Sequence, residues 1–272
     1  LASISAGSYV NGYVGVAPKS ELLVVKLKES KQYLKDFFLI KDDVPAFEEG
    51  DIMLAMRFLA DYAVRLGKPL IIIFGLGSAN GSRTGAAPLA EMMESLTKRP
   101  NISVVTCMGN EANNKCHYKG TVTSALVPDV MEVNVDGTGK GFTMEIWAES
   151  LDILSVSIES PSGEFVPRIP ARMGASMEYT FLYEGSTVTV DYQITENVAG
   201  MEVIFIRLST PVEGTWKFYI YSLTNIRGSY NAWLPLKQFS GQDIYFLKSD
   251  PDTTLTVPAA ADGVISVGAY NH

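Results

Sequence analysis

Residues 102–111 read Ile-Ser-Val-Val-Thr-Cys-Met-Gly-Asn-Glu, and this stretch decides the fold class that the sequence predicts. The apolar, β-branched run Ile102–Val105 predicts a buried strand. Gly109 then allows a sharp turn, which places the side chain of Asn110 at the carboxyl end of that strand. Open α/β sheets bind their ligands at this edge. The stretch therefore predicts a parallel sheet with a candidate site at residue 110.

The side chain of Asn110 has two readings. Its NH2 group can donate a hydrogen bond to an oxygen that becomes negative during a reaction, as in an oxyanion hole. Asparagine is also a common turn residue, so the simpler alternative is that Asn110 only closes a turn. The sequence around it has to decide between the two.

Composition places the 272-residue chain among globular proteins. Hydrophobic residues make up 47% of the chain and charged residues 19%, which leaves ample material for a core. No apolar run approaches the ~20 residues of a membrane span. The net charge of −8 and the lack of a basic stripe argue against nucleic acid as a partner.

The sequence predicts neither a metal site nor a cofactor. Cys107 and Cys116 form no disulfide framework and have no metal-ligand spacing. A single bridge between them is one alternative, and the simpler one is that Cys107, at the end of a buried strand, is a small core residue. Gly75–Gly81 follows an apolar strand but lacks the Gly-x-Gly-x-x-Gly spacing of a dinucleotide loop. The scattered acids near residue 250 are assigned no calcium.

The first part of the chain alternates apolar strands with amphipathic helices. Pro69–Phe74 is a continuous apolar strand, and Asp51–Leu66 and Pro88–Lys98 carry apolar residues at helical spacing. Leu1–Ser8 reads as a buried helix end, and Glu21–Leu27 as a strand. Apolar strands separated by helices predict an α/β fold, a parallel sheet with helices on both faces.

A different pattern begins near Val122. Short alternating segments are separated by turn signals such as Pro161-Ser162-Gly163, with no helical segment between them. The clearest strand patterns are Phe142–Trp147, Leu154–Ile158, Thr187–Asp191, Met201–Leu208 and Thr215–Tyr221. Val264–Gly268 then returns to the buried-strand pattern. We therefore predict an α/β part at residues 1–121, an inserted all-β sandwich or jelly roll at 122–235, and a return to the α/β part at 236–272.

Five segments, in this order, resemble the subtilisin-like serine peptidases, or subtilases. Leu1–Gly7 is similar to the end of the family's His-Gly-Thr helix, and Val14–Leu22 resembles the strand after it. Ile71–Gly77 resembles the substrate-binding strand. Met108–Glu111 resembles the Ala-Gly-Asn-Glu oxyanion segment, and Val257–Ala269 the strand leading toward the catalytic serine. A jelly roll inserted between that asparagine and that serine resembles the bacterial germination-protease (Csp-like) branch.

The resemblance implies a Ser-His-Asp triad whose members lie outside this chain. The aspartate and the histidine would precede Leu1, and the serine would follow His272. The chain starts with neither an initiator Met nor a signal-peptide pattern, so we expect an internal fragment without peptidase activity of its own. His117 is out of family order and reads as a surface or local structural residue. Nothing around His272 resembles the setting of a catalytic base.

The resemblance also implies a role for each candidate site residue. Asn110 would donate to the oxyanion of the tetrahedral intermediate. The implied substrate-binding residues are Gly75, Leu76 and Gly77 in a rim strand that pairs with the substrate backbone, and Thr106, Cys107, Met108 and Gly109 around the S1 pocket. Thr106 and Met108 would narrow that pocket. Gly75 stands where the family usually has serine, which bears on subsite preference and on proteolytic competence.

We therefore expect a fragment of a subtilisin-like serine endopeptidase that acts on a peptide or protein substrate. One alternative is a catalytically dead pseudoprotease with a regulatory, partner-binding role on the same scaffold. Another is that the β region itself binds carbohydrate or a protein, which an exposed aromatic cluster on one face would support, whereas wholly buried tryptophans would indicate a stabilising lid. Of its three tryptophans, Trp147, Trp216 and Trp233, we expect two to be core anchors and one to be exposed for contact. A propeptide is a further expected partner, and the resemblance implies an extracytoplasmic or spore-associated location.

Overall fold

The computed structural model describes residues 1–7, 12, 14–149, 152–172, 174–194 and 200–270. The helices are α1 (Ala2–Ala6), α2 (Gln32–Phe37), α3 (Glu49–Leu66) and α4 (Pro88–Thr97), with a short 3-10 helix at Lys237–Phe239. The strands are β1 (Leu70–Phe74), β2 (Ile102–Cys107), β3 (His117–Thr121), β4 (Asp129–Asp136), β5 (Gly141–Ala148), β6 (Leu154–Glu159), β7 (Phe165–Ile169), β8 (Ser176–Thr180), β9 (Thr187–Ile194), β10 (Glu202–Ser209), β11 (Gly214–Ser222), β12 (Ser229–Trp233), β13 (Asp243–Phe246) and β14 (Ile265–Val267).

A small parallel sheet carries the stretch that opened the sequence. Its three strands lie in the order β1-β2-β14, with Leu70 opposite Ile102 and Ile265 opposite Val105. Successive side chains of a strand point to opposite faces, and Ile72 is therefore buried on the face that packs against α3 and α4. The parallel pairing of β1 with β2 places the carboxyl ends of these two strands next to each other.

The expected α/β fold with helices on both faces of the sheet is wrong. The chain is mostly β-sheet, and two of its three sheets are antiparallel. The two longer helices, α3 and α4, pack on the same face of the parallel sheet. On the other face, the side chain of Ile71 is 67% exposed and that of Ile73 is 45% exposed. An apolar run of five residues does not show whether other elements cover one face of the strand or both. The prediction of helices on both faces therefore had no local support in the sequence.

The strands from β3 to β13 form two antiparallel sheets. One has the order β3-β12-β5-β10-β9-β8, and the other has the order β13-β4-β11-β6-β7. Their facing side chains form the larger core, with Trp216, Phe142 and Ile146 fully buried. Strand β5 is buried on its outer face as well, because part of the residue 78–87 loop packs against it. The jelly-roll topology and the three domain boundaries remain predictions.

Three local expectations are corrected by the structure. Glu21–Leu27 forms no strand, because no described strand pairs with it. Helix α1 forms, but none of its residues is buried. Strand β14 also forms, yet Ile265 and Val267 are more than half exposed, since they lie on the uncovered face of the parallel sheet.

Candidate functional site

A cavity of about 1080 Å³ opens at the carboxyl ends of β1 and β2. The segment that includes α2 and the start of α3 forms a second wall. Residues of β5 and β9 and the 3-10 helix form the third. Its lining therefore combines the parallel sheet with one of the antiparallel sheets.

Asn110 reaches this cavity from the end of β2. Gly109 has a φ of 85°, in the left-handed region that glycine adopts without steric cost, and the chain turns there. The side chain of Asn110 is exposed and lines the cavity beside Glu111. An amide in this position can donate a hydrogen bond to an oxygen of a bound molecule, which is what an oxyanion hole requires.

Gly75, Leu76 and Gly77 continue from β1 and line the same cavity. The thiol of Cys107 lies 3.6 Å from the carbonyl oxygen of Leu76, so the ends of β1 and β2 are in direct contact. A Cβ atom on Gly75 would lie 2.6 Å from Cδ1 of Leu1. A serine at position 75 would therefore require the exposed, flexible side chain of Leu1 to shift, which costs little.

The residues predicted to surround the S1 pocket separate into two groups. Cys107 and Gly109 line the cavity, and Cys107 is partly exposed, not the small core residue that the sequence suggested. Thr106 is 2% exposed on the helix-covered side of β2 and is not part of the cavity lining. Met108 is not part of it either, and its sulfur packs close to Gly268.

Thr256 lines the cavity and was missed by the sequence reasoning. Its backbone N–H donates to the carbonyl oxygen of Met108 at 3.0 Å, while Val257 and Ser78 exchange hydrogen bonds of 2.9 and 3.0 Å. Residues 256–257 therefore bridge the ends of β2 and β1. No short-range pattern announces this contact, because it joins residues more than 140 positions apart.

A second feature of the site is a carboxyl group, that of Glu145, which bonds to the residue 78–87 loop after Gly75–Gly77. Glu145 of β5 accepts hydrogen bonds through Oε2 from the Gly81 N–H and from Trp147 Nε1, both at 2.9 Å. Burial raises the pKa of Glu145, while these two bonds and the nearby charge of Arg83 oppose that shift. The carboxyl group thus ties the antiparallel sheet to the loop beside the cavity.

Arg83 is part of the same loop, and its side chain hydrogen-bonds to the backbone of that loop. It donates to the carbonyl oxygens of Gly81 and Ala79, both at 2.6 Å, and its guanidinium carbon lies 4.6 Å from the centre of the Trp233 ring. Burial lowers the pKa of Arg83 to about 10, against the opposing effect of Glu145. We call Arg83, Glu145, Trp147 and Trp233 the loop clamp.

The sequence left two alternatives for His117, a surface residue or a local structural residue, and the structure shows the second. It is fully buried, and its ring stacks on Trp233 at 5.0 Å between centres. Its ring nitrogens lie 3.1 Å from the carbonyl oxygen of Asp250 and 3.0 Å from Oδ1 of Asn231. His272 lies outside the described residues.

Within the ranges that the structure describes, no group of His, Cys, Asp and Glu side chains is placed to hold a metal ion. In the same ranges, no helix has both the length and the apolar character needed to cross a membrane.

Comparison with known proteins finds a similarity among solved structures. No protein-family profile matches the chain, and no curated protein matches it. Among solved structures, the chain is similar to the Clostridium perfringens CspB protease, with a TM-score of 0.82 and 26% sequence identity. The match covers 99% of this chain and 54% of that one, so the chain spans about half the length of that protease. The similarity supports a Csp-like fold and a protease-related scaffold.

Proposed function

We propose that this chain is part of a subtilisin-like serine endopeptidase of the Csp-like branch, and that its cavity binds the substrate peptide. The observation that carries the proposal is the meeting of two segments on one cavity. Asn110 extends from the end of β2, and Gly75–Gly77 extend from the end of β1. The similarity to the CspB protease and the five sequence segments support the same conclusion.

In this proposal the substrate lies along Gly75–Gly77 as an added β-strand, which fixes its backbone without regard to most side chains. The Asn110 amide donates to the carbonyl oxygen under attack as that oxygen becomes negative. The attacking serine, its histidine base and the aspartate come from polypeptide outside this chain. In subtilisin, removal of the corresponding asparagine lowers turnover about 10²–10³-fold, and we expect the same for Asn110→Ala in the intact enzyme.

The two cysteines provide a test of peptide binding on this chain alone. Cys107 lines the cavity and is partly exposed, whereas Cys116 is buried, and burial raises the pKa of its thiol to about 11. Only thiolates react rapidly with iodoacetamide, so Cys107 should be alkylated and Cys116 spared. An extended peptide should slow the alkylation of Cys107, measured by mass spectrometry.

The control peptide carries N-methyl groups on alternate amides, which remove the N–H groups that an added strand needs. We expect it to give no protection, and we expect neither peptide to be cleaved by the chain alone. Equal protection by both peptides, or none by any peptide, would contradict the proposed binding mode. Cleavage by the pure chain would contradict the placement of the triad outside it.

A further inference from the structure

Two loops at one end of the antiparallel sheets carry large apolar side chains that are exposed to solvent. The loop of residues 122–128, between β3 and β4, includes Leu126 and Val127, which are 91% and 61% exposed. The loop of residues 223–228, between β11 and β12, includes Leu223 and Ile226, which are 66% and 61% exposed. Single exposed apolar side chains are common on protein surfaces, but four on two adjoining loops are typical of a surface that another molecule covers. We call these two segments the apolar loops.

Hydrogen bonds hold the apolar loops side by side. The Val122 N–H donates to the carbonyl oxygen of Gly228 at 2.9 Å, which joins the first loop to the second. The carboxylate of Asp152 accepts hydrogen bonds of 2.6 to 2.9 Å from the backbone N–H groups of residues 226–228. The backbone of the second loop is therefore fixed, and its exposed side chains are presented without the entropic cost of ordering a loop on binding.

The charge of the apolar loops differs from that of the whole chain. The chain has a net charge of −8, yet Arg227 is the only charged residue in the sequence of the two loops. Its side chain is exposed. The two carboxylates beside the loops are occupied by internal contacts, because Asp152 is buried and Asp129 accepts hydrogen bonds from two buried tyrosine hydroxyls. The outer surface of the loops is therefore apolar, with one positive charge.

The composition of the apolar loops favours a lipid surface over a protein as the partner. Protein interfaces draw most of their binding energy from tryptophan, tyrosine and arginine, whereas leucine, valine, serine and threonine are under-represented at those positions. The large apolar residues of the two loops are all aliphatic. A protein partner would need a pocket for each projecting side chain. The interface of a bilayer has no fixed shape, buries aliphatic groups and, where it contains anionic lipid, attracts a basic side chain such as that of Arg227.

We propose that the apolar loops bind the chain to the surface of a lipid bilayer that contains anionic lipid. The four aliphatic side chains enter the boundary between headgroups and acyl chains, and Arg227 lies at the level of the lipid phosphates. None of these five residues lines the cavity. The proposal therefore goes beyond the proposed function and does not depend on it.

The experiment measures flotation of the chain with vesicles made of three parts phosphatidylcholine and one part phosphatidylglycerol. Leu126→Ser should weaken binding about tenfold or more, because burial of a leucine side chain contributes at least that factor. The double variant with Ile226→Ser should weaken it about a hundredfold. Arg227→Ser should weaken it about fivefold, the contribution of one basic side chain near an anionic surface.

Leu182→Ser is the matched control. Leu182 is 84% exposed in the turn between β8 and β9. That turn lies at the Gly141 end of the six-stranded sheet, whereas the apolar loops lie at the Ala148 end. The same substitution of an exposed leucine should therefore leave vesicle binding unchanged. Because every replaced side chain is exposed, all the variants should unfold at the same urea concentration as the parent.

A tryptophan at position 126 reports whether the loop enters the bilayer. The three tryptophans of the parent chain are buried, so a change in emission when vesicles are added comes from the new side chain. The emission of Leu126→Trp should shift to shorter wavelength with vesicles, and that of Leu182→Trp should not shift.

Four results would overturn the proposal. These are no flotation of the parent chain, equal flotation of the parent and Leu126→Ser, unchanged binding of Arg227→Ser, and no emission shift in Leu126→Trp. Self-association of the parent in sedimentation velocity that Leu126→Ser removes would assign the loops to a second copy of the chain and overturn it as well. Protection of Cys107 by peptides tests the proposed function separately.

Discussion

Replacing Arg83 by methionine tests whether the loop clamp joins the antiparallel sheet to the cavity. The side chain of methionine retains apolar contact with Trp233 but removes the guanidinium group. The carbonyl oxygens of Gly81 and Ala79 lose their donors, and the buried carboxyl group of Glu145 loses the positive charge beside it. A buried carbonyl oxygen left without its donor costs about 1–3 kcal/mol. Because two carbonyl oxygens lose their donor, while Arg83 Nε, which has no partner among the described residues, is removed as well, we expect a net loss of about 3 kcal/mol.

Urea unfolding followed by tryptophan fluorescence measures this loss, since two of the three tryptophans belong to the clamp. The midpoint should fall while the slope with denaturant stays unchanged. The control is Arg57→Met, at an arginine whose side chain is 73% exposed on α3. That substitution should change the free energy of unfolding by less than about 0.5 kcal/mol.

A double-mutant cycle with Glu145→Gln separates the contact from the two individual losses. Residues that share a hydrogen-bonded network couple by about 0.5–3 kcal/mol, whereas independent sites add within about 0.5 kcal/mol. We expect coupling above about 1 kcal/mol, because Gly81 bonds to both side chains. Additive effects, or a cost below about 1 kcal/mol for Arg83→Met alone, would refute the reasoning.

Three further predictions follow from buried carboxyl groups and from the uncovered sheet face. Burial raises the pKa of Glu202 to about 7, so its protonated form stabilises the fold below about pH 4.5 and this contribution is lost as the pH rises through 7. The free energy of unfolding of the parent should exceed that of Glu202→Gln by up to about 3 kcal/mol more at about pH 5 than at about pH 8. A difference between the two proteins that does not change with pH would contradict the raised pKa of Glu202. Asp152 accepts hydrogen bonds from the backbone N–H groups of residues 226–228. Asp152→Ala should therefore lower the free energy of unfolding in urea by about 3 kcal/mol. A loss below about 1 kcal/mol would contradict a stabilising role for these bonds. Ile73→Lys should lower the binding of a hydrophobic dye with little loss of stability, because Ile73 lies on the uncovered face of the parallel sheet. Ile72→Lys, on the covered face, should unfold the chain. A similar loss of stability in both variants would contradict the exposure of Ile73.

The sequence predicted the elements of the parallel sheet better than their surroundings. Leu70–Phe74 and Ile102–Cys107 lie close to the predicted strands, and α3 ends at Gly67, whose left-handed conformation is a common helix stop. These features depend on residues near one another in the chain. Whether a strand is covered on its second face depends on which distant element packs there, and Ile71 carries no local sign of its exposure.

The same distinction applies to the cavity. Gly109 and Asn110 could be found from the sequence, because a turn-forming glycine after a β-branched run is a local signal. Thr256 could not, because its contact with those residues is made by a segment that returns after the antiparallel strands. Arg83 and Glu145 were missed for the same reason, since sixty-two positions separate them and neither belongs to a recognisable motif.

The positions of the tryptophans bear on the idea that the β region binds a ligand of its own through an exposed aromatic side chain. Trp216 lies fully buried between the two antiparallel sheets, and the prediction that one of the three tryptophans is exposed is wrong. Trp147 and Trp233 are buried in the loop clamp, where one donates to Glu145 and the other faces Arg83. Because these aromatic side chains are all occupied by internal contacts, none of them is available to a carbohydrate or protein. The six-stranded antiparallel sheet instead supports the loop that follows Gly75–Gly77 and contributes a wall of the cavity, and a change in the clamp should therefore alter the cavity beside Gly75–Gly77.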